Sequence, residues 1–186
     1  MIELKTPAEI ELMRHAGQIT AAALAAVRDA ARVGMRLDEL DAVAAGVIAD
    51  AGAAASFLGY HGYPRSLCTS VNEQVVHGIP GPQVLAAGDV LSVDCGAVLD
   101  GWHGDAAFSV VVGEPADADP ADDALVETTR RAMWAGIAAL APGLAAGARL
   151  GVVGDAQRPV VLVDHQAPHP LQEPVRADDV AGRPGP

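Results

Sequence analysis

Apolar residues recur at helical spacing through the first third of the chain. The segment Thr6-Pro7-Ala8-Glu9 has the residues of a helix start, because a threonine can cap the helix, a proline suits its first position, and a glutamate completes a capping box. Apolar positions three and four residues apart follow to about Arg32, and a second such run covers Leu37–Ala51, before Gly52. This region predicts two amphipathic helices.

The middle of the chain has the alternation and the turn residues of β-structure. Short strands are predicted at Phe57–Tyr60 and Leu67–Val71, and a Gly- and Pro-rich loop at His77–Pro82. The clearest element is Val90–Val112, where two alternating runs flank Asp100-Gly101, a dipeptide that favours a tight hairpin turn. The pattern therefore predicts a β-hairpin centred on this dipeptide.

A third helix is predicted after Asp119, with a proline in its first turn and Pro142-Gly143 at its end. The last segment differs, because residues 158–186 contain six prolines and little periodicity. Val160–Val163 is predicted as one short strand there, and the rest as loop or tail.

Composition narrows the class of protein. At 186 residues, 51% hydrophobic and 19% charged, the chain is expected to form one globular domain. The net charge of −12 argues against a nucleic-acid partner. No signal peptide and no apolar run of membrane-spanning length are recognised, so a cytoplasmic protein without a membrane partner is expected. Two cysteines are too few for a disulfide scaffold.

Two aspartates on the predicted hairpin are candidate metal ligands. With a two-residue turn, Asp94 lies opposite Ala107 and Asp105 lies opposite Gly96. Both carboxylates then point to one face as diagonal neighbours, roughly 7–8 Å apart between backbones. Like charges so close favour a divalent cation between them. The alternative is a solvated sheet face, and a one-residue slip in register would separate the two carboxylates.

Several linked motifs resemble those of type I methionine aminopeptidases. The segments similar to that family's substrate pocket are Leu58-Gly59-Tyr60-His61-Gly62-Tyr63-Pro64, Cys68, Val71-Asn72-Glu73 and His77-Gly78-Ile79-Pro80. The segments similar to its first metal-ligand hairpin are Gly88-Asp89-Val90-Leu91-Ser92-Val93-Asp94 and Asp100-Gly101-Trp102-His103-Gly104-Asp105. The resemblance implies an α/β fold of the pita-bread type, with the first half and part of the second present. Residues 1–157 would be the N-terminal part of the aminopeptidase domain, and residues 158–186 a divergent Pro-rich tail.

The same resemblance implies a function and roles for single residues. The activity would be removal of the N-terminal methionine from nascent proteins, by a monomer with two divalent ions (Co, Mn, Fe or Zn). Asp94 would bind one metal, Asp105 would bridge both, and His77 would be catalytic and contact the substrate peptide. The remaining pocket residues would be Phe57, Tyr60, Tyr63 and Cys68.

Taken singly, these residues have simpler explanations. His77 alone would be a hydrogen-bonding loop residue, Cys68 a small core residue, and Tyr60 and Tyr63 loop anchors. Structural roles are expected for two further histidines: His61, which flanks glycines, and His103, which is expected on the strand face opposite to that of Asp105.

The family's three further metal ligands and its second catalytic histidine are not found in their usual contexts. The remaining candidates have poor surroundings: His165, His169 and Glu173. Gly151–Gln157 resembles the start of a helix expected in that family, and the resemblance ends after Gln157. A shifted reading frame in the gene would produce such an abrupt end. Two alternatives stay open: an inactive truncated homologue or peptide-binding fragment, and a pita-bread peptidase for Xaa-Pro bonds, against which Tyr60–Pro64 argues.

Overall fold

The computed structural model describes residues 5–139, 149–153 and 160–164. It forms two compact units, Met1–Asp119 and Pro120–Pro186. The elements of the first unit are α1 (Pro7–Ala30), α2 (Leu37–Asp50), β1 (Ala54–Ala55), a 3-10 turn (Tyr60–Gly62), β2 (Leu67–Val71), β3 (Val90–Leu99) and β4 (Trp102–Val111). Those of the second unit are α3 (Pro120–Ala139), β5 (Arg149–Val153) and β6 (Val160–Asp164).

Helix α1 begins as its sequence predicts. The Thr6 side chain accepts a hydrogen bond from the Glu9 N–H at 3.3 Å, and the Glu9 carboxylate accepts one from the Thr6 N–H at 2.7 Å. This reciprocal capping box satisfies two N–H groups that a helix start otherwise leaves without partners. The predicted starts and ends of α1 and α2 are confirmed to within two residues.

Strand β3 is the centre of an antiparallel sheet. Strands β1 and β2 pair with one edge of β3, and β4 pairs with the other edge along its whole length. The predicted hairpin is confirmed, since Leu99 pairs with Trp102 across the Asp100-Gly101 turn. Both turn residues have positive φ, 50° and 81°, which an Asp-Gly pair accepts at low cost.

The two faces of the sheet have different surroundings. Alternate residues of β3 lie in the core with α1 and α2, namely Leu91, Val93, Cys95 and Ala97. The residues between them point to the other face, and Asp94 is one of these. The core side chains of the two helices include Leu24, Val27, Leu40 and Ile48. The helices therefore bury one face and leave the other available for a site.

Two predicted elements are wrong. Phe57–Tyr60 is not a strand: the short strand is Ala54–Ala55, and a 3-10 turn follows at Tyr60–Gly62. Gly59 and Gly62 adopt φ of 84° and 83°, which turns the chain away from an extended path. The helix expected to start at Gly151 does not start there, because Gly151–Val153 belongs to β5, and residues 154–157 lie outside the described residues.

The described elements of the second unit are α3 and two antiparallel strands, β5 and β6. Valines dominate the β5–β6 pairing, with Val152 opposite Val161 and Val153 opposite Val160, and β-branched residues favour strands. The predicted short strand at Val160 is confirmed. Pro142-Gly143, His165, His169 and Glu173 lie outside the described residues, and so does the predicted boundary after Gln157. Among the described helices, none has both the length and the apolar character needed to cross a membrane.

Candidate functional site

The two candidate metal ligands share the sheet face that the helices leave uncovered. Asp94 pairs with Ala107 and Asp105 pairs with Gly96, so the predicted register is confirmed. Gly104, one residue before Asp105, points to the opposite face, where α1 lies. The hairpin thus holds the two carboxylates side by side without any contribution from a flexible loop.

The electrostatic surroundings of Asp94 are those of a site that attracts cations. Burial raises the pKa of Asp94, and the like charge of Asp105 raises it further. The nearby His77 has the opposite effect on this pKa. The carboxylate pair is therefore a region of concentrated negative charge, which a divalent ion would relieve.

Cys68 lies directly beside the carboxylates. It pairs with Asp94 across strands β2 and β3, and its side chain is buried. Burial raises the pKa of the Cys68 thiol, and the charges of Asp94 and Asp105 raise it as well. The thiol is therefore protonated at neutral pH and forms a small, uncharged wall next to the acidic pair.

His77 reaches the site from the loop between β2 and β3. Its backbone has φ of 69°, and the following Gly78 packs against β2. A Cβ on Gly78 would lie 2.1 Å from the Thr69 carbonyl oxygen, so only glycine fits there. The Thr69 N–H donates to the Gly78 carbonyl at 2.9 Å. These contacts hold the His77 loop close to the strand that carries Cys68.

The predicted aromatic residues occupy different surroundings. Tyr63 is partly buried, and its hydroxyl lies 2.8 Å from the Leu67 carbonyl oxygen and 3.0 Å from that of Gly78. Burial raises the pKa of Tyr63. Phe57 approaches the sheet at Gly96, since a Cβ there would lie 3.1 Å from Phe57 Cε1. Tyr60 is 68% exposed, and its ring contacts that of His61 edge to face.

His103 does not lie where it was expected. It is two residues before Asp105 on β4, and residues two apart on a strand point to the same face. Its expected position on the opposite face is therefore wrong. The His103 Nδ1 lies 3.3 Å from the Ser56 hydroxyl, so the ring has a structural partner at the turn end of this face.

Sequence reasoning missed a buried carboxylate, Asp41 of α2. It is 7% exposed and accepts hydrogen bonds from the backbone N–H groups of Ser66 and Leu67, at 2.8 and 2.9 Å. The signal was present in the sequence, since Asp41 lies on the buried stripe of α2 next to Leu40, where an unpartnered charge would be costly.

Asn72 is a second residue that the sequence did not single out as structural. Its side chain accepts from the Val90 N–H and donates to Asp89, both at 2.9 Å, and its backbone N–H donates to the Val90 carbonyl. It thereby fastens the end of β2 to the start of β3. Its φ of 55° suits asparagine better than most other residues.

The chemistry of the two carboxylates can be compared with what a divalent ion requires. Carboxylate oxygens are ligands that divalent ions of several kinds accept, so the donor chemistry of Asp94 and Asp105 fits such ions. Within the described part of the chain, however, no group of three or more His, Cys, Asp or Glu residues could hold one together. A complete coordination shell needs further ligands.

Comparison with known proteins gives consistent results. The sequence pattern of metallopeptidase family M24 matches residues 11–161. Over 144 residues the chain is 52% identical to methionine aminopeptidase 1 of Mycobacterium tuberculosis. This alignment covers 77% of this chain and 53% of the relative. The corresponding values for methionine aminopeptidase 1 of Bacillus subtilis are 43% identity, 77% and 56%.

A solved structure gives the same result for the fold. Methionine aminopeptidase from Thermotoga maritima superimposes with a TM-score of 0.73 and 39% identity, over 77% of this chain and 57% of that one. The prediction that this chain forms part of an α/β pita-bread fold is therefore confirmed. The chain spans about half the length of the curated relatives that it matches.

Proposed function

The chain belongs to metallopeptidase family M24, and from that premise we propose that it carries the N-terminal half of a methionine aminopeptidase site. The reaction would be metal-dependent hydrolysis of the peptide bond after an N-terminal methionine. The observation that carries the proposal is the convergence of Asp94, Asp105 and His77 on the open face of the sheet. The names of the similar proteins support it.

The two carboxylates would hold divalent ions, of which Co, Mn, Fe and Zn all suit oxygen and imidazole ligands. Such ions would supply Lewis-acid activation at the carbonyl of the scissile peptide. The exposed His77 side chain could contact that peptide, while its backbone is held by the contacts of Gly78. Because its charge acts on Asp94, His77 would lie close enough to the carboxylates to hydrogen-bond the substrate at the reacting bond.

The methionine side chain would enter beside Cys68. A protonated thiol and aromatic rings suit a polarisable thioether, which they contact without an unpaired charge. The proposed wall consists of Phe57, Tyr60, Tyr63 and Cys68. The Tyr60 ring is exposed, so a bound methionine would cover part of it. The similar proteins are methionine aminopeptidases, which favours methionine over an Xaa-Pro bond as the substrate.

The substrates would be N-terminal peptides of nascent proteins, which the chain would meet as a monomer in the cytoplasm. Full activity needs metal ligands beyond Asp94 and Asp105, and these would come from outside the described residues. A second candidate function would need only the pocket residues. In that alternative, the chain binds peptides that begin with methionine through the same pocket but does not cleave them.

The test is release of methionine from a Met-Ala-Ser peptide by the purified chain, with and without added Mn²⁺ or Co²⁺. Asp94→Asn removes one candidate ligand, and Asp100→Asn is the matched control, because it makes the same chemical change at the exposed turn of the same hairpin. Metal-dependent release by the wild type and Asp100→Asn, but not by Asp94→Asn, supports the proposal. Equal background in all three preparations contradicts it.

Peptide binding separates the second candidate from a non-functional chain. Titration of Met-Ala-Ser into the 15N-labelled chain would shift the amide signals of residues around Cys68 and His77 if the pocket is formed. Gly-Ala-Ser is the matched control peptide, because it has the same length and charge but no side chain to fill the pocket. Binding of the methionine peptide without release would identify a binding module, and no binding of either peptide would contradict both candidates.

A further inference from the structure

A chain of hydrogen bonds leads from α2 to the loop that carries His77. At its first end the Asp41 carboxylate accepts from the N–H groups of Ser66 and Leu67, at 2.8 and 2.9 Å. Its other oxygen lies 3.7 Å from the Arg65 guanidinium. A buried carboxylate with three partners fixes the backbone at the start of β2, because moving that backbone would leave the charge without compensation.

Leu67 continues this chain through its carbonyl group. The Tyr63 hydroxyl lies within hydrogen-bonding distance of that carbonyl oxygen and of the Gly78 oxygen, at 2.8 and 3.0 Å. The Thr69 N–H donates to the same Gly78 oxygen at 2.9 Å. The tyrosine hydroxyl therefore bridges two separate segments, the start of β2 and the His77 loop.

Gly78 follows His77 directly, so its position determines that of the histidine backbone. On one side the loop cannot move closer to β2, because the Gly78 Cα already lies against the Thr69 carbonyl. On the other side it cannot move away without breaking the hydrogen bonds to its carbonyl oxygen. The loop is thus held in one place although the His77 side chain is exposed.

We propose that the Tyr63 hydroxyl and the Asp41 carboxylate are positioning groups that fix His77 beside Asp94. The significance for catalysis rests on the proposed function, whereas the positioning itself does not. Tyr63 would then act in two ways, since its ring can contact substrate while its hydroxyl is occupied by backbone carbonyls. Asp41 would act only through Leu67 and Tyr63.

The histidine ring signals in the NMR spectrum of the whole chain test this directly. The signal of His77 is assigned by its loss in His77→Gln. Tyr63→Phe keeps the ring and removes only the bridging hydroxyl, so the His77 signal is expected to move while those of His15 and His103 stay in place. Loss of stability alone would not select one histidine in this way.

Tyr60→Phe is the matched control, because the Tyr60 hydroxyl makes no hydrogen bond within the described residues and belongs to the same segment. It should leave the His77 signal unchanged. Asp41→Asn keeps an oxygen that can accept from Ser66 and Leu67, so it should move the His77 signal less than Asp41→Ser does. Should Asp41→Ser not fold, the comparison of Tyr63→Phe with Tyr60→Phe decides the question.

An unchanged His77 signal in Tyr63→Phe would overturn the proposal, whether or not the chain cleaves peptides. A moved signal in a chain without aminopeptidase activity would support the positioning and contradict the proposed function. In an active preparation, Tyr63→Phe should lower kcat by about tenfold or more with a smaller change in KM, since small displacements of a catalytic group are costly.

Discussion

Asp94 and Asp105 lie diagonally across the β3–β4 hairpin, each opposite a residue with a small side chain or none, Ala107 and Gly96 respectively. The small partners leave the two carboxylates next to each other on the open face. Burial and the charge of Asp105 raise the pKa of Asp94, because two ionised carboxylates so close together repel each other unless a cation lies between them. The hairpin therefore keeps a local instability where a metal site is proposed.

Replacing Asp94 by asparagine should stabilise the metal-free chain at neutral pH. Because the pKa of Asp94 is raised in the folded state, its protonated carboxyl group favours folding. This contribution is complete below the pKa of Asp94 in the unfolded chain, about 3.9, and is lost as pH rises through the folded-state pKa. Asp94→Asn should therefore gain roughly 0.2–1 kcal/mol at pH 7, the usual size of a cross-strand pair interaction, and gain nothing near pH 3. Urea unfolding with EDTA at both pH values measures this. A destabilised variant at pH 7 would contradict it, and Asp100→Asn serves as the control.

Gly104→Ala should be strongly destabilising. A Cβ there would lie 2.6 Å from the carbonyl carbon and oxygen of Ala16 and from the Gly17 Cα, so β4 and α1 would have to separate. The expected cost is about 1–3 kcal/mol. Gly46→Ala in α2 is the matched control, because nothing lies within 4 Å of its added Cβ, and it should stabilise the chain by about 0.5–1 kcal/mol. Thermal unfolding of both variants gives the comparison, and equal effects would refute this account of the α1–β4 contact.

Local sequence signals predicted the parts of the fold that local chemistry determines. The Asp100-Gly101 turn fixed the hairpin register and with it the shared face of Asp94 and Asp105. The capping residues of α1 placed the helix start within one residue. Both signals act within a few residues along the chain, which is why they can be read without the fold.

The errors and omissions have three causes: glycine turns within a segment, contacts between distant segments, and one mistake in strand parity. Phe57–Tyr60 has the composition of a strand, but glycines with positive φ turn the chain there. The approach of Gly78 to Thr69 and the bond from Asp41 to Leu67 depend on three-dimensional packing, so no periodicity indicates them. The face of His103 could have been predicted correctly from its spacing of two from Asp105.

Two buried threonines should respond oppositely to replacement by valine. The Thr20 hydroxyl lies 3.0 Å from the Gly104 carbonyl oxygen and 3.2 Å from that of Ala16, so Thr20→Val should cost about 1 kcal/mol by removing this hydrogen bond between α1 and β4. The Thr69 hydroxyl is buried and has no hydrogen-bond partner in the described part of the chain. Thr69→Val should therefore be neutral or stabilise by up to about 1 kcal/mol. Denaturant unfolding tests the pair, and a larger loss in Thr69→Val than in Thr20→Val would show that the Thr69 hydroxyl has a partner in solution.

The free energy of unfolding should fall in alkaline solution because of Cys95. Burial raises the pKa of this thiol to about 12, with the charges of Asp94 and Asp105 adding to the effect. In the unfolded chain the thiol ionises near pH 8.5. The folded state favours the neutral thiol, so its stabilising contribution is complete below pH ~8.5 and is lost progressively as pH rises toward 12. The expected slope is at most about 1.4 kcal/mol per pH unit for this group.

Cys95→Ala should reduce that slope, although the cavity it leaves lowers stability at every pH. The informative quantity is therefore the difference between pH 8 and pH 10 within each protein, measured by urea unfolding in the presence of a reductant. Cys68→Ala is the matched comparison, since burial also raises the pKa of that thiol. A smaller alkaline loss in Cys95→Ala than in the wild type agrees with a buried neutral thiol in the core. Identical losses would mean that Cys95 reaches solvent in the folded chain.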